Sequence, residues 1–224
     1  MTISSLHTPT PAVMAVLDRI RRIGVLAVVR APDPGTAVEA AVALVAGGVT
    51  GLEITFSTPE APRVIRELSE RFGDAAVVGA GTVVTAEQAG LAADAGARFL
   101  VSPGTTAELT ASMKDTGLAV MTGALTPSEV MHALALRTDV VKIFPASLGG
   151  PAYLRALRGP FPDTPLMPTG GVTPDNIRDW VAAGAIALGA GGDLVPASAL
   201  ANGDMAEIER RARAFAVAWA EARA

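Results

Sequence analysis

The residue that most clearly indicates chemistry is Lys142, which lies in the apolar run VVKIFP at 140–145. The chain has sixteen arginines and two lysines, so arginine supplies nearly every plain positive charge. A guanidinium stays charged, whereas an ammonium group in an apolar site can lose its proton and become a nucleophile. A lysine inside an apolar strand therefore points to Schiff-base chemistry.

A less reactive interpretation of Lys142 is also open. A lysine beside apolar residues can run its stem along a wall and place its charged head in water at the strand end. The other lysine, Lys114, lies on a predicted helix among small and polar residues, and we expect an ordinary surface lysine there. The partners around Lys142 decide between the two interpretations.

A candidate partner is Glu53, a carboxylate between Leu52 and Ile54 in a second apolar run. A carboxylate in such a run is costly unless it is paired or used. If both runs are barrel strands, their alternation lets Glu53 and Lys142 face the same interior. The alternative is a structural ion pair between Glu53 and Arg30, although Arg30 could equally bind a substrate carboxylate with its planar fork.

The elements that must position these residues form a regular series of eight short apolar runs with helical segments between them. The runs are 25–30, 51–56, 76–83, 99–104, 118–125, 140–146, 165–172 and 185–191. Capping signals such as Asp33-Pro34 and Thr126-Pro127-Ser128-Glu129 open several of the helices. Residues 12–23 have helical spacing of apolar residues and predict one extra helix before the first strand.

Eight strand–helix units predict a parallel sheet closed into a (β/α)₈ TIM barrel. An open doubly wound sheet fits less well, because no GxGxxG turn follows the first run. We expect a loose tail at residues 1–10 and a single barrel domain at residues 11–224. In such a barrel the reactive residues lie at the carboxyl ends of the strands.

The composition of the chain limits the kinds of partner that it is expected to bind. A net charge of −4 without a basic stripe argues against nucleic acid or an anionic membrane surface, and favours a small molecule. The chain has no cysteine, which fits a cytoplasmic protein and excludes disulfides and thiolate nucleophiles. The N-terminus lacks the features of a secretory signal, and no apolar run is long enough for a membrane span.

Glycine-rich loops follow the seventh and eighth runs. They contain Gly170 and Gly171 in the first loop, and Gly191 and Gly192 in the second. Loops at these places in a barrel bind phosphate through backbone N–H groups, so we expect a phosphate site there. Metal chemistry has little support, because His7 lies in the tail and His132 on a helix. We expect neither a metal nor a cofactor.

Taken together, the motifs resemble the bacterial family of 2-keto-3-deoxy-6-phosphogluconate (KDPG) aldolase, also known as 4-hydroxy-2-oxoglutarate (KHG) aldolase. The matching segments are GLEITF at 51–56, GAGTV at 79–83, SPG at 102–104, VKIFPA at 141–146 and PTGGV at 168–172. The resemblance runs from about residue 23 to the end of the chain. It implies a metal-independent class I pyruvate aldolase on a (β/α)₈ barrel, usually a homotrimer.

The resemblance also implies roles for individual residues. Lys142 matches the Schiff-base lysine and Glu53 the general acid/base. Four further residues match substrate-site positions: Thr82 and Pro103 in the pyruvate site, Phe144 in its wall, and Thr169 at a position that influences stereoselectivity. Gly170 and Gly171 match the phosphate-binding backbone.

Two positions depart from the family pattern. Ser57 stands where the best-known branch has an arginine, which suggests that Arg30 takes over the carboxylate. Gly192 stands where relatives often have a phosphate-binding serine, and the next residue is Asp193. A lost hydroxyl and an added carboxylate should weaken phosphate affinity if Asp193 faces the site.

Three functional hypotheses remain at this point. The first is reversible cleavage of KDPG to pyruvate and glyceraldehyde 3-phosphate. The second is the same chemistry on an unphosphorylated 2-keto-4-hydroxy acid such as 4-hydroxy-2-oxoglutarate. The third is a barrel that binds a phosphorylated ligand without catalysis, which the facing parity of Glu53 and Lys142 disfavours.

Overall fold

The computed structural model describes residues 9–224, which contain eight β-strands. The strands are β1 Val25–Val29, β2 Gly51–Thr55, β3 Val77–Gly81, β4 Phe99–Val101, β5 Ala119–Ala124, β6 Val140–Ile143, β7 Leu166–Pro168 and β8 Leu188–Ala190. Each of the eight predicted runs contains one strand. Several predicted runs are longer than their strands; in the run at 99–104, β4 ends at Val101 because Ser102-Pro103-Gly104 turns away into a loop.

The strands form a nearly closed parallel ring. Neighbours in sequence pair from β1 to β7, and β8 pairs with β1. A parallel bridge between Thr169 and Gly189 joins the remaining two strands, and the Ile186 N–H donates to the Leu166 carbonyl at 3.0 Å. The predicted (β/α)₈ barrel is confirmed, and the open doubly wound alternative is wrong.

Ten α-helices accompany the strands in the described part of the chain. They are α1 Pro11–Ile23, α2 Pro34–Ala46, α3 Ala61–Phe72, α4 Ala86–Asp94, α5 Ala107–Asp115, α6 Pro127–Ala135, α7 Gly150–Arg158, α8 Ile177–Ala182, α9 Ala197–Asn202 and α10 Met205–Ala222. The extra leading helix is confirmed as α1. Within residues 9–224 no helix has both the length and the apolarity to cross a membrane. The predicted tail at 1–10 lies largely outside the described residues, so the proposed division into tail and single domain stays a prediction.

Helix α1 closes the amino-terminal end of the barrel. Its buried residues Val13, Leu17 and Ile20, spaced by three and four, join one apolar cluster with inward-facing strand residues. The strand members of this cluster are Leu26, Val77, Phe99, Val101, Ala119, Met121, Val140 and Met167. Phe99 is fully buried, and a methyl group on Gly79 would lie 2.5 Å from its ring. The interior below the mouth is therefore filled with side chains, which leaves the carboxyl ends of the strands for a ligand.

The loop between β5 and α6 ends in the predicted capping signal. The Thr126 hydroxyl accepts from the Glu129 N–H at 3.3 Å, and the Glu129 carboxylate accepts from the N–H groups of Thr126 and Leu125 at 2.7 and 2.8 Å. These bonds, the Thr126 N–H first, lower the pKa of the Glu129 carboxyl below its ordinary value. The native state therefore favours the ionised form of the Glu129 carboxyl.

A pH dependence of stability follows from this capping box. We expect Glu129→Gln to lower the free energy of unfolding at pH 7 by about 0.5 kcal/mol, because the exposed carboxylate is screened by solvent. A lowered native pKa stabilises above the unfolded value of about 4.3 and loses that effect as pH falls through the native value. Urea titrations at pH 7 and pH 3.5 should therefore show the difference between the two proteins shrinking in acid. A difference that grows in acid would contradict the assignment.

Lys114 corrects one expectation. Its Nζ lies 2.9 Å from Oδ1 of Asp139, whose carboxylate is fully buried and also accepts from the Val120 N–H at 2.8 Å. The lysine closes a partly buried ion pair at the amino-terminal side of β5 and β6 and is not an ordinary surface residue. Twenty-five positions separate the partners, so the local composition around Lys114 carries no sign of the pair.

Candidate active site

Lys142 and Glu53 meet inside the mouth of the barrel. The Lys142 Nζ lies 3.5 Å from the Glu53 Oε1, with 7% and 0% of the two side chains exposed. The second carboxylate oxygen, Oε2, is buried and has no hydrogen-bond partner in the described part of the chain. Nearly complete burial excludes the interpretation in which the lysine head extends into water. The unpaired oxygen leaves Glu53 with capacity to accept a proton from a ligand or a water.

Glycine on neighbouring strands makes room for this pair and for its surroundings. A methyl group on Gly81 would lie 2.5 Å from the Glu53 Cγ and would overlap the carboxylate. A methyl group on Gly123, paired with Lys142 across β5 and β6, would overlap the Pro103 carbonyl. These two glycines therefore accommodate parts of the protein itself.

Phe144 and Thr169 follow the ends of β6 and β7, the strand of Lys142 and its neighbour. The Phe144 ring centroid is 5.3 Å from the Lys142 Nζ, and the ring is 40% exposed at the mouth. Thr169 is buried, its N–H donates to the Ile143 carbonyl at 2.9 Å, and its own carbonyl accepts from the Ala146 N–H at 2.9 Å. Within residues 9–224 its hydroxyl has no hydrogen-bond partner, so this buried group remains open to a ligand or a water.

Thr82 has an unusual backbone at the end of β3. Its φ of 53° is in the left-handed region, which is disfavoured for a β-branched residue. Bonds on both sides hold it: the Gly81 carbonyl accepts from the Phe56 N–H at 2.9 Å, and the Val83 N–H donates to the Val101 carbonyl at 3.0 Å. Strained residues held in this way cluster at ligand sites, which supports the predicted position.

Pro103 lies in an exposed loop whose shape is fixed by hydroxyl groups. The Ser102 hydroxyl donates to the Gly104 carbonyl at 2.6 Å. The Thr105 hydroxyl donates to the Gly123 carbonyl at 2.8 Å and ties the loop to β5. The loop therefore approaches the strand next to Lys142, as the Pro103 prediction requires.

Arg30 is exposed at the end of β1 and does not pair with Glu53. Its Nε donates to the Ser57 hydroxyl at 2.9 Å, and no carboxylate within residues 9–224 lies at ion-pair distance from its guanidinium. The alternative of a Glu53–Arg30 ion pair is therefore wrong. The hydrogen bond between Arg30 and Ser57 was not predicted from the sequence, where Ser57 was interpreted only as a position at which relatives have an arginine.

The loops after β7 and β8 have the predicted glycine geometry. Gly170 and Gly171 have φ values of 96° and 72°, so side chains other than hydrogen would be strained there. Among the described residues no hydrogen bond occupies the N–H groups of Gly171, Gly191 and Gly192, whereas the Gly170 N–H donates to the Gly189 carbonyl at 3.4 Å. The Gly191 carbonyl accepts from Leu194 and thereby shapes the second loop. Three of the four predicted phosphate contacts thus have an N–H group that is open to a ligand.

Asp193 is exposed beside Gly192, and its carbonyl accepts from the Arg211 side chain of α10 at 2.7 Å. A methyl group built on Gly192 meets nothing within 4 Å. The glycine at 192 is therefore not required by space. His132 is exposed on α6, and the described residues contain no group of three His, Asp or Glu side chains that could hold a metal ion.

The fold and the site together define a (β/α)₈-barrel enzyme with a buried lysine and carboxylate pair at its mouth. Residues 16–211 match the family model "Aldolase: KDPG and KHG aldolase". The chain belongs to this family and is an aldolase, a carbon–carbon lyase. This confirms the family that the motifs predicted.

Three relatives illustrate the range of the family. The chain is 40% identical to the KHG/KDPG aldolase of Escherichia coli, over 79% of this chain and 83% of the relative. It is 32% identical to the 2-dehydro-3-deoxy-6-phosphogalactonate aldolase of the same organism, over 90% and 97% of the two chains. A crystal structure of KDPG aldolase from Legionella pneumophila, with pyruvate captured as a covalent carbinolamine intermediate, has a TM-score of 0.81 at 33% identity and covers 90% and 96% of the two chains.

Proposed function

We propose that this protein is a class I aldolase that reversibly cleaves KDPG to pyruvate and glyceraldehyde 3-phosphate. The observation that carries the proposal is the buried Lys142–Glu53 pair, with 3.5 Å between nitrogen and oxygen, in a chain of this aldolase family. The covalent pyruvate intermediate in the Legionella relative supports the same chemistry here. Lys142 is the proposed nucleophile and Glu53 the proposed acid/base.

The proposed reaction begins when the neutral Lys142 amine adds to the C2 ketone; the resulting carbinolamine takes up one proton from solvent and loses water, which leaves a protonated imine. Glu53 then takes the proton of the C4 hydroxyl, and the oxygen electrons form the carbonyl of the departing aldehyde. The electron pair of the C3–C4 bond moves to C2–C3 and neutralises the imine to an enamine. Protonation at C3 and hydrolysis release pyruvate and restore the lysine.

The other site residues follow from this assignment. Arg30 and the strained Thr82 would bind the substrate carboxylate, and Phe144 and Pro103 would form the walls around pyruvate. Thr169, whose buried hydroxyl has no hydrogen-bond partner among the described residues, would discriminate the orientation of the C4 hydroxyl. The open amides of Gly171, Gly191 and Gly192 would bind the phosphate, with the loop glycine Gly170 shaping the site.

A second candidate substrate is an unphosphorylated 2-keto-4-hydroxy acid such as 4-hydroxy-2-oxoglutarate. The specific observation that favours it is the exposed carboxylate of Asp193 beside the proposed phosphate loop, where Gly192 supplies no hydroxyl. The relatives named for KHG, KDPG and phosphogalactonate substrates span the same alternatives. Comparing kcat/KM for the three substrates with the purified protein separates them.

The test of the chemistry is reduction by borohydride in the presence of pyruvate, followed by peptide mass mapping. A pyruvate-derived mass on Lys142, and none on Lys114, is the expected result. A folded protein without an adduct would remove the class I mechanism. A non-catalytic barrel would bind the phosphorylated acid without forming the adduct.

The open space at Gly192 gives a specific prediction. We expect Gly192→Ser to raise kcat/KM for KDPG about fivefold, because a hydroxyl there can donate to a charged phosphate. The value for 4-hydroxy-2-oxoglutarate should stay within about twofold, since that substrate has no phosphate. Steady-state assays of both substrates measure the ratio. An equal change for the two substrates would place position 192 away from the phosphate.

A homotrimer and a cytoplasmic location complete the proposal. The trimer comes from the resemblance of the chain to its family. The location is proposed because the chain has no cysteine, which fits a reducing compartment. Both stay predictions.

A further inference from the structure

We propose that Ser57 is a positioning residue that holds Arg30 for binding the carboxylate of a 2-keto acid, with Thr55 as its anchor. This inference rests on the proposed function and specifies how the site recognises one end of the substrate. It also gives a physical role to the serine that departs from the family pattern. The supporting observations lie at the carboxyl ends of β1 and β2.

A directed chain of hydrogen bonds connects the residues. The Arg30 Nε donates to the Ser57 hydroxyl at 2.9 Å, and the hydroxyls of Ser57 and Thr55 are 2.8 Å apart. The Thr55 hydroxyl donates to the Val29 carbonyl at 3.0 Å, so its oxygen must accept from Ser57. Each hydroxyl then accepts one bond and donates one, an arrangement in which neighbouring bonds strengthen one another.

The anchor of this chain is rigid. Thr55 is fully buried on β2, and the series of hydrogen bonds ends at the carbonyl of Val29, the residue that precedes Arg30. The next side chain along the β2 loop, Thr58, accepts from the Ala31 N–H at 3.1 Å. The backbone after Arg30 and its side chain are thus both tied to residues 55–58. An exposed arginine held at Nε and at its backbone loses less rotational freedom when it binds.

The guanidinium keeps its binding capacity. A guanidinium has five N–H donors, and only the Nε donor is used here. The four N–H groups on the two terminal nitrogens match the two oxygens of a carboxylate in a bidentate pair. Since no carboxylate of the described chain pairs with Arg30, the charge is available to a ligand.

The direction of the side chain selects which end of the substrate is bound. Strand β1 lies between β2 and β8, so Arg30 could lean either way. Ser57 draws it towards β2, the strand of Glu53, and away from the glycine loop and Asp193 after β8. The ligand end held by Arg30 is therefore the carboxylate next to the reacting ketone.

The experiment measures exchange of the pyruvate methyl protons with D₂O by NMR, which reports enamine formation without any aldehyde. We expect Ser57→Ala to raise the KM for pyruvate about tenfold and to leave kcat within about twofold, because binding is weakened and the reacting groups are untouched. Ser57→Thr keeps the hydroxyl and should restore KM to within about twofold. Ser128→Ala, at an exposed serine of α6, is the matched control and should behave as the parent.

The outcomes separate this inference from the proposed function. A parent protein without exchange and without a borohydride adduct would remove the proposed function itself. Exchange in the parent with an unchanged KM in Ser57→Ala would overturn the positioning role alone. A loss of kcat without a change in KM, or a failure of Ser57→Thr to restore KM, would also overturn it.

Discussion

Replacing Lys142 by arginine is expected to reduce aldol cleavage by roughly 10⁴-fold or more, the scale that follows removal of a covalent nucleophile. Arginine keeps the positive charge beside Glu53 but cannot give a neutral amine, so no imine can form. The measurement is a coupled assay of pyruvate release, together with borohydride trapping of the variant. Circular dichroism establishes that the variant is folded.

The chain offers an unusually good control for this experiment, since its only other lysine is Lys114. Lys114→Arg preserves the ion pair with Asp139 in character and lies at the opposite end of the barrel. We expect its activity to stay within about twofold of the parent. An active Lys142→Arg variant would end the Schiff-base proposal, and so would equal losses in the two variants.

The second large effect is expected at Glu53. Glu53→Gln should lower kcat for cleavage by about 10²–10⁴-fold, the usual contribution of a positioned acid/base. Glutamine has nearly the same shape, so it fits beside Gly81, but it cannot accept the C4 hydroxyl proton. A pyruvate adduct at Lys142 should still be trapped at long reaction times, because the nucleophile remains.

Glu39→Gln, on the exposed face of α2, is the matched control and should leave kcat unchanged. The informative comparison is between cleavage and trapping in Glu53→Gln. Cleavage that remains within tenfold of the parent would assign proton transfer to another group. Loss of both cleavage and trapping in a folded protein would instead give Glu53 a part in forming the imine.

Regular periodicity made much of this site predictable. The alternation of side chains along a strand depends only on sequence, so it placed Lys142 and Glu53 in the same interior once eight strands were recognised. The capping residues Asp33 and Thr126 were predictable for a similar reason, because their partners lie three positions away. The ends of the strands were overestimated because apolar residues continue into the loops, as at 99–104.

The contacts that escaped prediction join residues far apart in sequence. Ser57 bonds Arg30 across 27 positions, and Lys114 pairs with Asp139 across 25. Each depends on the register between elements and on a side-chain rotamer, and neither is fixed by local pattern. The packing of Glu53 against Gly81 also depends on the register between two strands and on the Glu53 rotamer, so it was not predictable from local pattern either. In a known barrel, small residues on the strand next to a large inward-facing residue would be the signal to seek.

Helix α1 closes the amino-terminal end of the barrel, so the site opens to solvent at the carboxyl ends of the strands. Val13, Leu17 and Ile20 pack beneath the strands, so the substrate enters and the products leave through the same mouth of the barrel. In the proposed mechanism the fragment joined to Lys142 is the inner one, so we expect the aldehyde to leave first and pyruvate last. By the same reasoning we expect pyruvate to enter before the aldehyde in the synthetic direction.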